Sequence, residues 1–128
     1  MTEPKTLTIA VVDDDEAMRN ALGNLLASLD FEVATFASAE EFLASPTSAA
    51  AACLITDVQM PGMSGLDLQR HLAGKGSRMP VILITAFPFD HIRRQAEAEG
   101  AIGFFAKPFD GGRMIDCIER ALVEKRAP

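Results

Sequence analysis

Short apolar runs alternate along the chain with stretches in which apolar residues recur every three or four positions. Leu7-Thr8-Ile9-Ala10-Val11-Val12 is a continuous run that stops at Asp13-Asp14-Asp15. Met18, Ala21, Leu22, Leu25, Leu26 and Leu29 follow at helical spacing. Glu32 to Phe36 predicts a second strand, and Ser38-Ala39-Glu40-Glu41 is a capping box opening a short helix that ends before Ser45-Pro46. The alanine-rich run Ala49 to Ala52 fits a helix tail or a loop equally. Cys53-Leu54-Ile55-Thr56 predicts a third strand ending at Asp57, and Ser64 opens a helix through Leu66, Leu68 and Leu72 that closes at Gly74-Lys75-Gly76. Val81-Ile82-Leu83-Ile84, with Thr85 at its end, predicts a fourth strand. A helix over about Asp90 to Glu99 follows and is stopped by Gly100. Ile102 to Ala106 gives a fifth strand ended by Lys107-Pro108, and Asp110 caps a last helix carrying Ile115, Ile118, Ala121 and Leu122.

Strands this uniformly apolar are covered on both faces, as in a parallel sheet with helices on each side. Right-handed crossovers then give a doubly wound α/β fold of five parallel strands and five helices. The second strand ends in Phe36-Ala37-Ser38, without charged groups, and belongs at an edge, as in the flavodoxin-like order 2-1-3-4-5. Residues 1–128 read as one domain with a core from about 7 to 122.

The composition narrows the function class. The chain has 128 residues, 48% hydrophobic and 23% charged, which is globular. Its apolar runs fall well short of the roughly 20 residues of a membrane span. Met1-Thr2-Glu3-Pro4-Lys5 is polar and carries no signal-peptide core, so a cytoplasmic protein without membrane attachment is expected. A net charge of −6 makes this portion unsuited to nucleic-acid phosphates. Cys53 and Cys117 lie in apolar stretches without CxxC spacing and read as buried thiols of a reducing compartment.

Functional groups of such sheets gather at the carboxyl ends of the strands. There the sequence sets Asp13-Asp14, Asp57, Thr85 and Lys107, far apart in the chain but convergent in a parallel sheet. Converging carboxylates repel unless neutralised, and hard oxygen ligands with open positions suit Mg²⁺, for which Mn²⁺ can substitute. A divalent ion, a lysine and a hydroxyl around one central carboxylate form a site for phosphoryl transfer onto that carboxylate, and Asp57 is the central one. Taken singly, each residue has a plainer reading as a helix-terminal acid, a turn residue, a surface lysine or a strand end. Their joint placement at one sheet edge is what points to chemistry.

The segments Val11-Val12-Asp13-Asp14-Asp15, Asp57-Val58-Gln59-Met60-Pro61-Gly62-Met63-Ser64-Gly65, Ile84-Thr85-Ala86 and Lys107-Pro108-Phe109 together resemble the response-regulator receiver (CheY-like) domains of two-component signalling. The loop after Asp57 and the Lys-Pro-Phe-Asp ending are most similar to FixJ-like members. The resemblance runs from Leu7 to about Leu122. It implies a phosphoacceptor that catalyses its own phosphotransfer and dephosphorylation, rather than an enzyme acting on a separate substrate. Asp57 would accept the phosphoryl group from a sensor histidine kinase or a histidine phosphotransfer protein. Asp14, Asp57 and the Gln59 backbone carbonyl would bind Mg²⁺ directly, with Asp13 acting through water, while Thr85 and Lys107 hold the phosphoryl oxygens. Thr85 and Phe104 would be the switch pair, and the Lys107–Pro108 bond would be cis. The fourth helix, fifth strand and fifth helix would form the readout face, where Arg93, Arg94, Glu97 and Arg113 set partner choice or a phosphorylation-dependent homodimer.

Gln59 and Phe87 would flank the path of the water that removes the phosphate. Phe87 either folds over the site and slows that loss or points to solvent beside Phe89. Phe31, Phe36, Phe42, Phe105 and Phe109 read as core, and His71 and His91 as surface residues. A phosphatase of the haloacid-dehalogenase type would want an acid where Gln59 stands and a cap domain. A pseudo-receiver would lack acceptor-site residues, which are all present. The output partner is not legible, because a stand-alone receiver and one cut from a transcription factor would read alike.

Overall fold

The β-branched and leucine-rich runs form five parallel strands in the computed structural model, which describes residues 7–126. These are β1 (Thr8–Val12), β2 (Glu32–Phe36), β3 (Cys53–Asp57), β4 (Val81–Thr85) and β5 (Gly103–Ala106), in the order β2-β1-β3-β4-β5. The central strands β3 and β4 are buried at every position. Their continuous apolar sequences reflect helices packed on both faces.

Six helices connect the strands: α1 (Glu16–Ala27), α2 (Ala39–Leu43), α3 (Thr47–Ala50), α4 (Gly65–Gly74), α5 (Asp90–Ala98) and α6 (Gly111–Arg126). The sequence predicts five, so the count is corrected by α3. That helix has four residues and no side-chain cap, which is too short for any periodicity to register. The caps predicted at Ser38, Ser64 and Asp110 are present, Asp15 caps α1 as well, and α5 has no side-chain cap. Asp15 accepts the Ala17 N–H, Ser38 the Glu41 N–H, and Asp110 the Gly112 N–H. Ser64 and Asp67 close a full capping box on α4.

Two apolar layers result. Leu22 and Leu26 of α1 and Met114, Cys117, Ile118 and Leu122 of α6 pack under Ile9, Val11, Ile55, Ile82 and Ile84. On the other face Phe42 of α2, Leu66, Leu68 and Leu72 of α4, and Ala96 of α5 cover Ala10, Val12, Leu54 and Leu83. Both cysteines are buried, and the five phenylalanines read as core are buried or half-buried against these layers. Among the described residues no helix is long and apolar enough to cross a membrane.

Candidate functional site

Parallel pairing brings the strand ends level. Val12 lies beside Thr56, Asp57 beside Ile84, and Thr85 beside Ala106, so the residues that end β1, β3, β4 and β5 share one sheet edge. Each of the three acids after β1 then has a different task. Asp13 is fully buried, with Oδ1 accepting the Asp15 N–H at 2.9 Å and Oδ2 accepting from Lys107 Nζ at 3.0 Å. Arg19 donates to the Asp13 carbonyl at 2.6 Å. Asp14 is exposed at the mouth of the site, and Asp15 caps α1.

Asp57 ends the central strand, is 5% exposed, and has Lys107 Nζ 3.6 Å from Oδ1. Burial and then the charge of Asp13 push its pKa up to about 6, with Asp14 adding to the rise and Lys107 opposing it. Burial alone would lower the Lys107 pKa. The hydrogen bond to Asp13 and the charges of Asp57 and Asp13 outweigh it and hold the ammonium above its usual value. One lysine therefore faces three carboxylates.

That imbalance is the test of fit for a metal. Asp13, Asp14 and Asp57 each offer an oxygen, and these oxygens lie within 4.8 Å of one another. All-oxygen donors with excess negative charge suit a hard divalent cation such as Mg²⁺. Both Asp13 oxygens are already engaged, which leaves Asp14 and Asp57 as the freer ligands.

The loop after Asp57 is held from three sides. The Val58 N–H donates to the Ile84 carbonyl and the Gly65 N–H to the Val58 carbonyl, both at 2.9 Å. A Cβ on Gly65 would collide with the Asp57 carbonyl and sit 3.1 Å from the Val58 Cα, so only glycine allows α4 to start this close. Glu40 of α2 accepts the Met63 N–H at 3.0 Å beside Gly62, whose φ is +76°.

Thr85 is fully buried; its hydroxyl donates to Gln59 Oε1 at 2.5 Å and accepts the Phe87 N–H at 2.9 Å. The Lys107 N–H donates to the Thr85 carbonyl at 2.8 Å, and the Lys107–Pro108 bond is cis.

Asp13, Asp14, Asp57 and Lys107 thus converge at one end of the sheet, with Thr85 joined to the loop after Asp57 through Gln59. Phe104 is half-buried on the α5 face of the sheet, with the Arg93 guanidinium 4.9 Å from its ring centre. Phe87 is 55% exposed and stacks on Phe89, which stacks in turn on His91. Two roles escape the sequence. Glu40 looks like a helix-terminal acid, and nothing in its spacing signals a tie to the loop. Arg93 reads as a charge of the readout face, and only three-dimensional placement sets it over Phe104.

Residues 9–119 match the family described as the response regulator receiver domain. The chain is 43% identical over 120 residues to the response regulator protein TmoT of Ectopseudomonas mendocina, covering 94% of this chain and 54% of TmoT. It is 37% identical to the transcriptional regulatory protein FixJ of Azorhizobium caulinodans, covering 93% of this chain and 56% of that protein. The chain spans about half the length of the curated relatives it matches. The crystal structure of FixJ-N superposes with a TM-score of 0.85 at 35% identity, covering 98% of this chain and all of that one.

Proposed function

Because the chain belongs to the response regulator receiver domain family, we propose that Asp57 is its phosphoacceptor and that a phosphohistidine is the donor. The observation that carries this reading is the near-buried Asp57 carboxylate with Lys107 Nζ 3.6 Å away and the carboxylates of Asp13 and Asp14 beside it. An Asp57 oxygen attacks the phosphorus in line with the departing imidazole nitrogen. The P–N bond breaks as the P–O bond forms, and the released imidazole takes a proton from solvent. Its raised pKa of about 6 still leaves Asp57 mostly ionised near neutrality, which the attack requires. Lys107 would meet the incoming phosphoryl oxygens, and Thr85 would donate to one of them once its hydroxyl leaves Gln59.

Asp14, Asp57 and the Gln59 backbone carbonyl would hold Mg²⁺ directly, with Asp13 acting through water. The ion supplies the positive charge that offsets carboxylates and phosphoryl oxygens together. Drawing Thr85 and Lys107 toward the phosphate biases a two-state equilibrium read at Phe104 and at the face of α5, β5 and α6. On that face Arg94 pairs with Asp90 at 2.8 Å and Arg93 covers Phe104, while Glu97 and Arg113 are exposed. These charges fit a salt-sensitive, phosphorylation-dependent homodimer or an output partner. Gln59 and Phe87 flank the water that ends the signal; shielding by Phe87 requires its ring to leave Phe89.

Incubation with a small-molecule phosphodonor and Mg²⁺ should add one acid- and base-labile phosphoryl group to the parent and none to Asp57→Asn. A phosphoryl group mapped by intact and fragment mass to another residue removes the assignment.

A further inference from the structure

The Thr85 hydroxyl has a single proton, and in this structure Gln59 Oε1 accepts it. The oxygen of the same hydroxyl is taken by the Phe87 N–H, so Thr85 has no donor left for a phosphoryl group. The two partners are also unequally exposed. Thr85 is fully buried and cannot turn to water, whereas Gln59 is exposed and its amide is solvated as soon as it lets go.

We propose that Gln59 is a positioning residue that acts through Thr85, a latch whose amide oxygen competes with the phosphoryl oxygen for one buried proton. The proposal rests on the reading of Asp57 as phosphoacceptor. A phosphoryl oxygen is a charged acceptor and forms the stronger bond, so it takes the proton when it arrives. The amide takes it back when the phosphate leaves, because a buried hydroxyl without an acceptor is costly. The latch therefore opposes phosphoryl binding in the resting state and restores that state afterwards. Thr85 sits beside Ala106 on β5, two residues past Phe104, so the exchange takes place next to the strand that carries that ring.

Gln59→Leu keeps the size of the side chain and removes the acceptor. With Mg²⁺ and beryllofluoride as the phosphoryl mimic, this variant should bind the mimic about threefold to tenfold more tightly than the parent, the range expected for one hydrogen bond. The gain should vanish in a Thr85→Val background, where there is no proton to compete for. The Phe87 amide resonance reports directly on Thr85 Oγ1. In mimic-free Gln59→Leu it should already be displaced toward its position in the loaded parent. Unchanged or weaker mimic affinity in Gln59→Leu overturns the latch, as does an equal gain in the Thr85→Val background. If the parent binds the mimic and is phosphorylated at Asp57 while Gln59→Leu behaves identically, only the latch falls. If the parent neither binds the mimic nor takes a phosphoryl group at Asp57, the phosphoacceptor reading falls and the latch with it.

Discussion

Helices α4 and α5 lie against one another on the same sheet face, and each follows a strand that ends in a site residue, yet they are anchored in opposite ways. α4 begins with a full capping box at Ser64 and buries Leu66, Leu68, Gln69 and Leu72. α5 begins at Phe89 with no side-chain cap and fully buries only Ala96. Among the described residues, its hydrogen-bonded and ionic ties to α4 are both toward its far end. Gln69 Nε2 donates to the Ala96 carbonyl at 3.1 Å, and Arg70 pairs with Glu99. The end of α5 nearest the site carries the exposed Phe87–Phe89 stack. The contrast separates a firmly capped and buried helix after Asp57 from an uncapped, lightly buried one after Thr85. In the proposed switching, a helix held at its far end would tilt rather than translate, with a pivot near Ala96.

The largest expected effect breaks the contrast by packing. Leu68→Ala in α4 should cost about 3 kcal/mol in denaturant-measured stability, as for a fully buried leucine. Ile92→Ala in α5, where the side chain is only half-buried, should cost about 1 kcal/mol. Equal losses would mean that α5 is as firmly seated as α4.

The next effect tests the electrostatic load that the fixed side carries. Asp57 has its pKa raised from 3.8 to about 6 in the folded chain, so between these values the folded state binds more protons than the unfolded. Stability therefore falls as pH rises through that window, by on the order of 2 kcal/mol. Asp57→Asn removes this term. With metal chelated, the stability gap between variant and parent should widen from pH 4 to pH 7. A gap that stays flat would show that the loop gives way and lets water reach the carboxylate.

The smallest effect sharpens the other half of the comparison. Phe89→Asp supplies the missing cap of α5 at extended backbone angles, φ −65° and ψ 142°. It should stabilise the protein by about 1 kcal/mol and slow amide exchange in the first turn of α5, while exchange in α4 stays unchanged. Faster exchange in that turn would show that the stacked rings, and not an absent cap, govern the helix start.

What the sequence makes legible follows the same division. The strands announce themselves as unbroken apolar runs because both faces of the sheet are covered. The acids, threonine and lysine that end them are readable because strand ends in a parallel sheet must converge. Ser64 signals the start of α4 through a local pattern of side chain and backbone. Contacts made by rotamers across elements leave no such trace. Neither the Thr85–Gln59 bond, the Glu40 tie to Met63 nor the seat of Arg93 on Phe104 follows from spacing. α3 escapes for another reason, since one helical turn is shorter than the period that would reveal it.

Gly65 carries this asymmetry into how the molecule can change over generations. Every other amino acid brings a Cβ into the Asp57 carbonyl, so no single step away from glycine leaves the end of β3 where it is. At the near end of α5, by contrast, Phe87, Phe89, Asp90 and Arg94 face solvent, and exchanging them disturbs no buried layer. The buried carboxylate site and the exposed end of α5 are thus written into positions with very different freedom to drift. A lineage built on this fold can alter that exposed surface by small steps while the carboxylate at the end of β3 stays locked beneath it.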